Sequence, residues 1–353
     1  MSAPPLVVRC GAFGDIVLLT PLLRLLAARY GTPVDLVSSG TWTAPLLERE
    51  PALGRLQLVS SRNTPYLLCP SQWALVRWLH ARGRGPVYFC DKDDAMRALL
   101  RRGGVPDADL VERMPADAGS DGESRLWPDR WLRMGLRSPL AWPAPHDVDP
   151  ARFRLPRLIV DDADRADLAR WRAARGLEGP LVLFQPGNKR THKRGRVATS
   201  QHPKYWPPER WARVAGAIMA AAPGTRVLLC GSGPEHGVLE DIRAACGDPH
   251  GVHNVAGDLP IRRLLALLEV ARGMVSVDTG PAHAAAALGC PLVTLFGNAS
   301  PEMWRPLGPG PAAVLGGTRG DDSRVDDIET AEVIAAWMRL GTGTGTVAGG
   351  ATG

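Results

Sequence analysis

The sequence has few of the features that identify membrane, disulfide-rich or metal-binding proteins. No stretch approaches the run of about 20 apolar residues that a membrane-spanning helix requires. The start, MSAPPLVVRCGAFGD, has neither the basic nor the unbroken apolar segment of a signal peptide. The six cysteines form no CxxC pair, so we interpret them as reduced thiols. GxSxG, HExxH and GxxxxGK[ST] are also absent. These absences favour a cytoplasmic protein whose chemistry resides in other motifs.

The length and the hydrophobic pattern predict two α/β domains. Of the 353 residues 45% are hydrophobic, which is enough to fill two cores. Short β-branched runs alternate with helical segments in both halves, as in parallel sheets covered by helices. Five prolines between residues 138 and 157 interrupt the alternation. We therefore predict domains at 1–150 and 151–341, followed by a flexible Gly/Thr tail at 342–353.

The first candidate site is RCGAFGD at residues 9–15, between a strand predicted at 6–10 and a helix predicted at 16–30. Gly11 and Gly14 would let the backbone approach a ligand, and a helix N-terminus could bind an anion or a sugar. The alternative is structural, with glycines that only form the turn and Asp15 as the helix N-cap. Because GxxGD is not GxGxxG, and no acidic residue ends the second strand, a dehydrogenase is disfavoured.

The second candidate site is DTGPAH at residues 278–283, at the end of another predicted strand. A strand end followed by a helix N-terminus suits a diphosphate, because backbone N–H groups and the helix dipole point the same way. The alternative is an ordinary turn, with Thr279 as a cap and Pro281 at the helix start. His283 could equally be a half-buried histidine with a structural role.

Charge identifies two further segments. Residues 187–206, GNKRTHKRGRVATSQHPKYW, contain six Lys or Arg and no acidic residue. This segment could bind phosphate, approach an anionic membrane or be a solvated loop, and it has few aromatic side chains for nucleic acid. DKDD at 91–94 contains a DxD triplet, but acidic residues are also expected where a helix begins. We predict no metal site.

These motifs together resemble glycosyltransferase family 9, the ADP-heptose:lipopolysaccharide heptosyltransferases. The likeness runs from about residue 6 to 340. It rests on RCGAFGDIVLLTPLLRLL, on LFQPG followed by HPKYWPPERWARVA, and on HNVAGDLPIRRLLALLEVARGMVSVDTGPAHAAAALGCPLVTLFG. It implies the α/β GT-B fold, in which two Rossmann-like domains face each other across a cleft. Residues 1–150 would bind the acceptor, and residues 151–341 the nucleotide sugar.

The resemblance also implies a reaction. Heptose would pass from ADP-heptose to a hydroxyl of a glycan acceptor, the lipopolysaccharide inner core, with inversion and without metal or cofactor. Asp15 would be the general base. The expected substrate-binding residues are Gly11, Gly14, Lys189, Lys204, Asp278, Thr279, Gly280, Pro281 and His283. The segment between PG and KYWP is longer than the family pattern, which leaves open which basic residue meets the diphosphate. Glu235 and Glu240 are further candidates for the ribose.

Other functions stay open at this stage. The acceptor could be a protein or a secondary metabolite, or the chain could bind a nucleotide without catalysis. A basic protein that binds RNA or a membrane through residues 188–204 is a third hypothesis. We expect no nucleic-acid partner, and peripheral contact with the inner membrane surface stays open.

Overall fold

The computed structural model describes residues 2–113, 123–143, 145–187, 200–247 and 250–341. The chain divides into two compact units, Met1–Ile159 and Val160–Gly353. Each unit contains one parallel sheet with helices around it, so the predicted α/β class with two Rossmann-like domains is confirmed. The predicted tail at 342–353 lies outside the described residues.

The first unit is built on a sheet in the order β3-β2-β1-β4-β5, counted over the described residues. All neighbouring strands run parallel. The strands are β1 (Leu6–Val8), β2 (Val34–Ser38), β3 (Leu53–Leu58), β4 (Val87–Phe89) and β5 (Leu110–Glu112). The helices are α1 (Phe13–Val17), α2 (Thr20–Tyr30), α3 (Thr43–Leu47), α4 (Pro70–Arg82), α5 (Asp94–Arg102) and α6 (Trp127–Leu136).

The second unit has a parallel sheet in the order β11-β10-β9-β6-β7-β8, again over the described residues. Its strands are β6 (Leu181–Gln185), β7 (Arg226–Leu229), β8 (Val252–Asn254), β9 (Gly273–Val277), β10 (Leu292–Phe296) and β11 (Ala312–Gly316). Its helices are α7 (Asp162–Ala174), α8 (Pro208–Ala221), α9 (His236–Ala245), α10 (Ile261–Val270), α11 (Gly280–Ala287), α12 (Pro301–Trp304) and α13 (Thr330–Arg339).

The helix predicted at 16–30 is in fact two helices, α1 and α2. Pro21 has no N–H to donate to the Val17 carbonyl, so the helix cannot continue through it. The Thr20 hydroxyl donates to that carbonyl instead, at 2.8 Å. A new helix then starts at Thr20 with proline in its first turn. The prediction was therefore wrong about a single helix, and α1 becomes a separate short element that carries Asp15.

The core of each unit lies between its sheet and its helices. The central strands β1, β6, β9 and β10 are buried along their whole length, as expected for parallel strands covered on both faces. In the second unit Trp206 is buried edge-on against Trp211, and its indole N–H donates to the Ile328 carbonyl at 3.2 Å. This anchor fixes the chain two residues after Lys204.

Two further observations concern the sequence-based expectations. All six cysteines are free thiols, as predicted, and five of them are buried. Burial raises the pKa of the Cys10 thiol, which lies near the first candidate site, to about 12. In the part of the chain that the structure describes, no helix is both long enough and apolar enough to span a bilayer.

Candidate functional site

Both sequence motifs lie where the strand order of their sheet reverses. In the first unit the chain builds β1, β2 and β3 to one side and then places β4 on the other side of β1. In the second it builds β6, β7 and β8 to one side and then places β9 beside β6. Crevices at such reversals, outside the carboxyl ends of the strands, are the usual ligand sites of open α/β sheets. GAFGD follows β1, and DTGPAH follows β9.

Asp15 is held in place by two hydrogen bonds. Its Oδ1 accepts from the Arg9 guanidinium at 2.7 Å, and its Oδ2 accepts from the Ala12 backbone N–H at 2.7 Å. Arg9 also donates to the Cys90 carbonyl at 3.2 Å and lies over the Trp131 ring. Burial alone would lower the pKa of Arg9, but the Asp15 carboxylate, together with Asp91 and Cys90, outweighs burial and the pKa is raised. Arg9 and Asp15 therefore form a fixed ion pair, in which the Asp15 carboxylate is the more exposed member.

The glycines of GAFGD have the roles that a tight turn requires. A Cβ atom on Gly11 would lie 2.5 Å from the Asp15 Cβ and 2.9 Å from its Oδ2, so only glycine lets Asp15 occupy this position. Gly14 is buried inside α1. The structural alternative for Asp15 was wrong in detail, because the N-cap of α1 is Ala12 and Asp15 lies in the first turn.

A second carboxylate lies at the same edge of the first sheet. The Asp91 Oδ2 accepts from the Cys10 backbone N–H at 3.0 Å and from Arg62 at 3.2 Å. Asp93, the last residue of the DxD triplet, caps helix α5 by accepting from the Ala95 N–H at 2.9 Å. Arg62 also pairs with Asp93 at 3.0 Å. The triplet thus has structural partners. No group of three or more His, Cys, Asp or Glu among the described residues is arranged to hold a metal ion.

Lys204 and Asp278 meet at the carboxyl end of β9. The Lys204 ammonium is 2.6 Å from the Asp278 Oδ2 and 2.6 Å from the Asp278 carbonyl oxygen. Pro203, the preceding residue, lies so close to the end of β10 that a Cβ on Gly297 would be 2.4 Å from its carbonyl oxygen. Pro203 also accepts from the Val325 N–H at 2.8 Å. The backbone before Lys204 is therefore fixed against the sheet, and the ammonium is directed to the strand end.

The rest of DTGPAH forms the start of helix α11. Thr279 is the N-cap residue, but among the described residues its hydroxyl makes no capping bond and pairs with the Ser276 hydroxyl at 3.2 Å. The alternative of a capping threonine is therefore right about the position of Thr279 at the N-cap, but the capping hydrogen bond of its side chain is not formed. Gly280 and Pro281 form the first turn, and Gly280 supplies a first-turn N–H. His283 is buried, with its Nε2 3.9 Å from the Asp278 Oδ1, which is too long for a hydrogen bond.

Two carboxylates follow β7, the strand on the other side of β6 from β9. Glu235 is buried, and its Oε2 accepts from the Ser232 N–H at 2.7 Å and from the Ser232 hydroxyl at 2.6 Å. Its Oε1 is also buried and has no hydrogen-bond partner among the described residues. Glu240 pairs with Arg243 on the surface of α9 at 2.5 Å. Both Glu240 oxygens thus have partners, in Arg243 and Asn254, whereas one oxygen of Glu235 has none among the described residues.

The structure brings together some predicted site residues and leaves others separate. Gly11, Gly14 and Asp15 form one group in the first unit. Lys204, Asp278, Thr279, Gly280, Pro281 and His283 form another in the second. Lys189 and residues 188–199 lie outside the described residues, so their role stays a prediction. The sequence reasoning missed Arg9, Asp91 and Ser276 as partners of site residues. Arg9 is next to the GAFGD motif, but nothing in the sequence shows which side chain it meets.

Comparisons with known proteins show which family this chain is similar to. Residues 162–330 match the model of glycosyltransferase family 9 (heptosyltransferase). Lipopolysaccharide heptosyltransferase 2 of Salmonella typhimurium is 26% identical over 319 residues, covering 83% of this chain and 82% of that protein. The structure of E. coli ADP-heptose lps heptosyltransferase II has a TM-score of 0.71 at 22% identity, with 96% and 98% of the two chains covered. That of E. coli heptosyltransferase WaaC with ADP has a TM-score of 0.66 at 18% identity, covering 95% and 99%.

Proposed function

We propose that this chain, whose residues 162–330 match the model of glycosyltransferase family 9, transfers heptose from ADP-heptose to a hydroxyl of a saccharide acceptor. We further propose that the transfer inverts the anomeric carbon and needs no metal ion. The lipopolysaccharide inner core is the acceptor class that we favour, because the relatives that align over most of the chain are named lipopolysaccharide heptosyltransferases.

The observation that carries this proposal is the Lys204 ammonium at the end of β9. An ammonium has three N–H donors, and two of them are directed at Asp278. The third would donate to a phosphate oxygen of the nucleotide. Because the ammonium lies beside the N-terminus of α11, its charge and the helix dipole would act on the same phosphate. This combination can stabilise a leaving diphosphate without a metal ion.

Two neighbouring groups would bind the rest of the nucleotide. The first-turn N–H of Gly280 would donate to the diphosphate, and the buried Glu235 Oε1, at the end of β7, would accept from a ribose hydroxyl. One of the similar solved structures is that of a heptosyltransferase with ADP. These assignments use the ends of β9 and β7, which lie on either side of β6 in one sheet. Nucleotide sites in open α/β sheets commonly lie at the carboxyl ends of the strands.

Asp15 is the residue that we assign to the acceptor. Its carboxylate has oxygens fixed by Arg9 and by the Ala12 N–H, and each oxygen retains a lone pair for a further donor. An acceptor hydroxyl that donates to Asp15 would lose its proton to the carboxylate as it attacks the anomeric carbon. The new C–O bond forms while the bond to the β-phosphate oxygen breaks, and ADP leaves with the electron pair. One such displacement inverts the anomeric carbon.

Product analysis tests the proposal directly. Purified protein is incubated with ADP-heptose and a heptose-deficient inner-core oligosaccharide, with and without EDTA, and the product is examined by mass spectrometry and NMR. We expect a heptosylated product of inverted configuration and an unchanged rate in EDTA. Retained configuration would contradict the single displacement, and loss of activity in EDTA would contradict metal independence.

A binding panel separates this function from its alternatives. Thermal shifts with ADP, UDP, GDP and CDP should be largest for ADP, since a ligand that binds only the folded state stabilises it. A shift with ADP but no transfer to any glycan would favour a non-catalytic homologue. Transfer to a protein or a small metabolite would contradict the proposed acceptor, but not heptosyl transfer from ADP-heptose. The cytoplasmic location stays a prediction.

A further inference from the structure

A cavity of about 440 Å³ lies in the first unit, at the opposite end of the sheet from GAFGD. Its lining includes Pro33 and Ala52, which precede β2 and β3, and Gly31, which follows α2. Because GAFGD follows the carboxyl end of β1 and these strands are parallel, the five residues of β2 separate the two ends of the sheet by about 16 Å. We name this space the amino-end cavity. Its volume is typical of small-molecule sites, and its lining has no part in the proposed transfer.

Two arginines and one glutamate supply the charge of the amino-end cavity. The Arg157 Nη2 donates to both Glu50 oxygens, at 3.0 and 3.3 Å, and the Glu50 Oε1 also accepts from the Ala52 N–H at 3.1 Å. The Glu50 side chain is only 3% exposed, so its charge is taken up by Arg157. Arg24 has no carboxylate partner among the residues that the structure describes. The cavity therefore carries one unbalanced positive charge.

Arg24 keeps N–H donors that no described residue accepts. Its Nη1 donates to the Leu155 carbonyl at 3.1 Å, and its guanidinium lies 5.7 Å from the centre of the Phe153 ring. Burial and the charge of Arg157 lower the pKa of Arg24, and Glu50 compensates only in part. In the described part of the chain, Nε and Nη2 of Arg24 and Nε and Nη1 of Arg157 have no acceptor. An oxyanion bound to both guanidiniums would accept from these groups and relieve the repulsion between them.

The other end of the cavity favours a different chemical group. Ala27 and Gly31 line the cavity and follow Arg24 by three and seven residues, so Gly31 lies about 10 Å further along the axis of α2. The last carbonyls of a helix have no partner within the helix and carry the negative end of its dipole. Hydroxyl groups would donate to these carbonyls, whereas a second anionic group would be repelled. The ligand should therefore be anionic at one end and hydroxylated at the other.

We propose that the amino-end cavity binds a small sugar phosphate, with its phosphate at Arg24 and Arg157 and its hydroxyls at the C-terminus of α2. The three free oxygens of a phosphate ester can accept from both guanidiniums, whereas a single carboxylate matches one. The Arg157 backbone N–H donates to the Thr20 hydroxyl at 3.1 Å, which fixes this wall of the cavity on α2. Little conformational freedom would therefore be lost on binding.

Isothermal titration of the full chain with glucose 6-phosphate tests this site. Saturating ADP is present throughout, so that a nucleotide site cannot take up the sugar phosphate. Inorganic phosphate, glucose and glucuronate are titrated in the same way, because they offer the phosphate alone, the hydroxyls alone and a carboxylate in place of the phosphate. We expect glucose 6-phosphate to bind roughly tenfold more tightly than each of the other three.

Two variants locate the binding. Arg24→Gln should raise the Kd of glucose 6-phosphate roughly tenfold to a hundredfold, because charge-assisted hydrogen bonds are lost while the pair of Arg157 and Glu50 is kept. Ala27→Leu removes no polar contact, adds a good helix former and fills part of the cavity, so it should weaken binding while the protein stays folded. Arg77→Gln is the matched control, since Arg77 is an exposed helical arginine of the same unit outside this lining, and it should bind like the parent.

Three results would overturn the proposal. The first is no binding of glucose 6-phosphate at millimolar concentration in the presence of ADP. The second is an unchanged Kd in both Arg24→Gln and Ala27→Leu, which would mean that the sugar phosphate binds elsewhere. The third is binding of inorganic phosphate or glucuronate as tight as that of glucose 6-phosphate. None of these measurements requires heptosyl transfer, so a failure of the proposed function would leave this test as it is.

Discussion

Each unit places an ion pair where the strand order of its sheet reverses, after β1 in the first unit and after β9 in the second, but with opposite polarity. At the end of β1 the cation is the inner member, because the Arg9 side chain is 11% exposed and the Asp15 side chain 17%. Near the end of β9 the carboxylate is the inner member, because Asp278 is 10% exposed and Lys204 19%. One sheet edge thus presents a carboxylate and the other an ammonium, each supported by its counter-ion.

The difference in polarity matches the difference in the proposed chemistry. A general base must present an unshared electron pair to a hydroxyl, whereas a diphosphate site must present N–H donors and positive charge. In both units the inner partner fixes the outer one, so that little reorganisation is needed when a ligand binds. The same parallel sheet therefore serves either role, and the side chains at the strand ends decide which.

Removing the outer carboxylate should have the largest effect. Asp15→Asn keeps the shape of the side chain but removes the base, and we expect turnover to fall about 100- to 10,000-fold. The affinity for ADP should change little, because the residues assigned to ADP all belong to the second unit. Steady-state rates and isothermal titration measure the two quantities. Asp93→Asn is the control, since asparagine is also a good N-cap and α5 should be preserved. If Asp15→Asn turned over at a rate close to that of the parent, Asp15 would not be the general base.

Removing the outer ammonium should give the next largest effect, and mainly on binding. Lys204→Met deletes a charge-assisted hydrogen bond to phosphate, so we expect the Kd of ADP to rise roughly tenfold to a hundredfold. It also leaves the largely buried Asp278 without its counter-ion, which should lower the free energy of unfolding by about 3 kcal/mol. Calorimetric titration and denaturant unfolding check both expectations.

A double variant separates these two consequences. In Lys204→Met/Asp278→Asn the buried charge is gone, so stability should recover while ADP affinity stays low. Lys92→Met is the control, because Lys92 is the other lysine among the described residues and is exposed in the first unit. Recovery of affinity in the double variant would mean that Lys204 acts only as the partner of Asp278.

The sequence predicted the two strand ends well, but not the partners of the side chains there. Glycine, proline and aspartate after a short apolar run indicate where a buried strand ends, which located GAFGD and DTGPAH. The pairing of Lys204 with Asp278, 74 positions apart, arises from the tertiary fold and has no local signal. Strands β5 and β8 also have no clear local signal, because each has only three residues and is defined by its pairing with β4 or β7. Helix α6 was missed beside the proline-rich segment.

The smallest of the expected effects tests how closely the first ion pair depends on its backbone. Gly11→Ala would place a Cβ 2.5 Å from the Asp15 Cβ. Asp15 cannot move away without weakening its bonds to Arg9 and the Ala12 N–H, so we expect turnover to fall about tenfold, since displaced catalytic groups lose much of their effect. ADP affinity should not change.

Gly216→Ala is the matched control for Gly11→Ala. A Cβ on Gly216 meets no atom within 4 Å, and Gly216 lies inside helix α8, so alanine should stabilise the protein by about 1 kcal/mol without affecting turnover. Full turnover in Gly11→Ala would mean that the tight fit around Asp15 is not needed. The comparison would then fail, because the Asp15 carboxylate would not need a fixed position, whereas the Lys204 ammonium is fixed by Asp278.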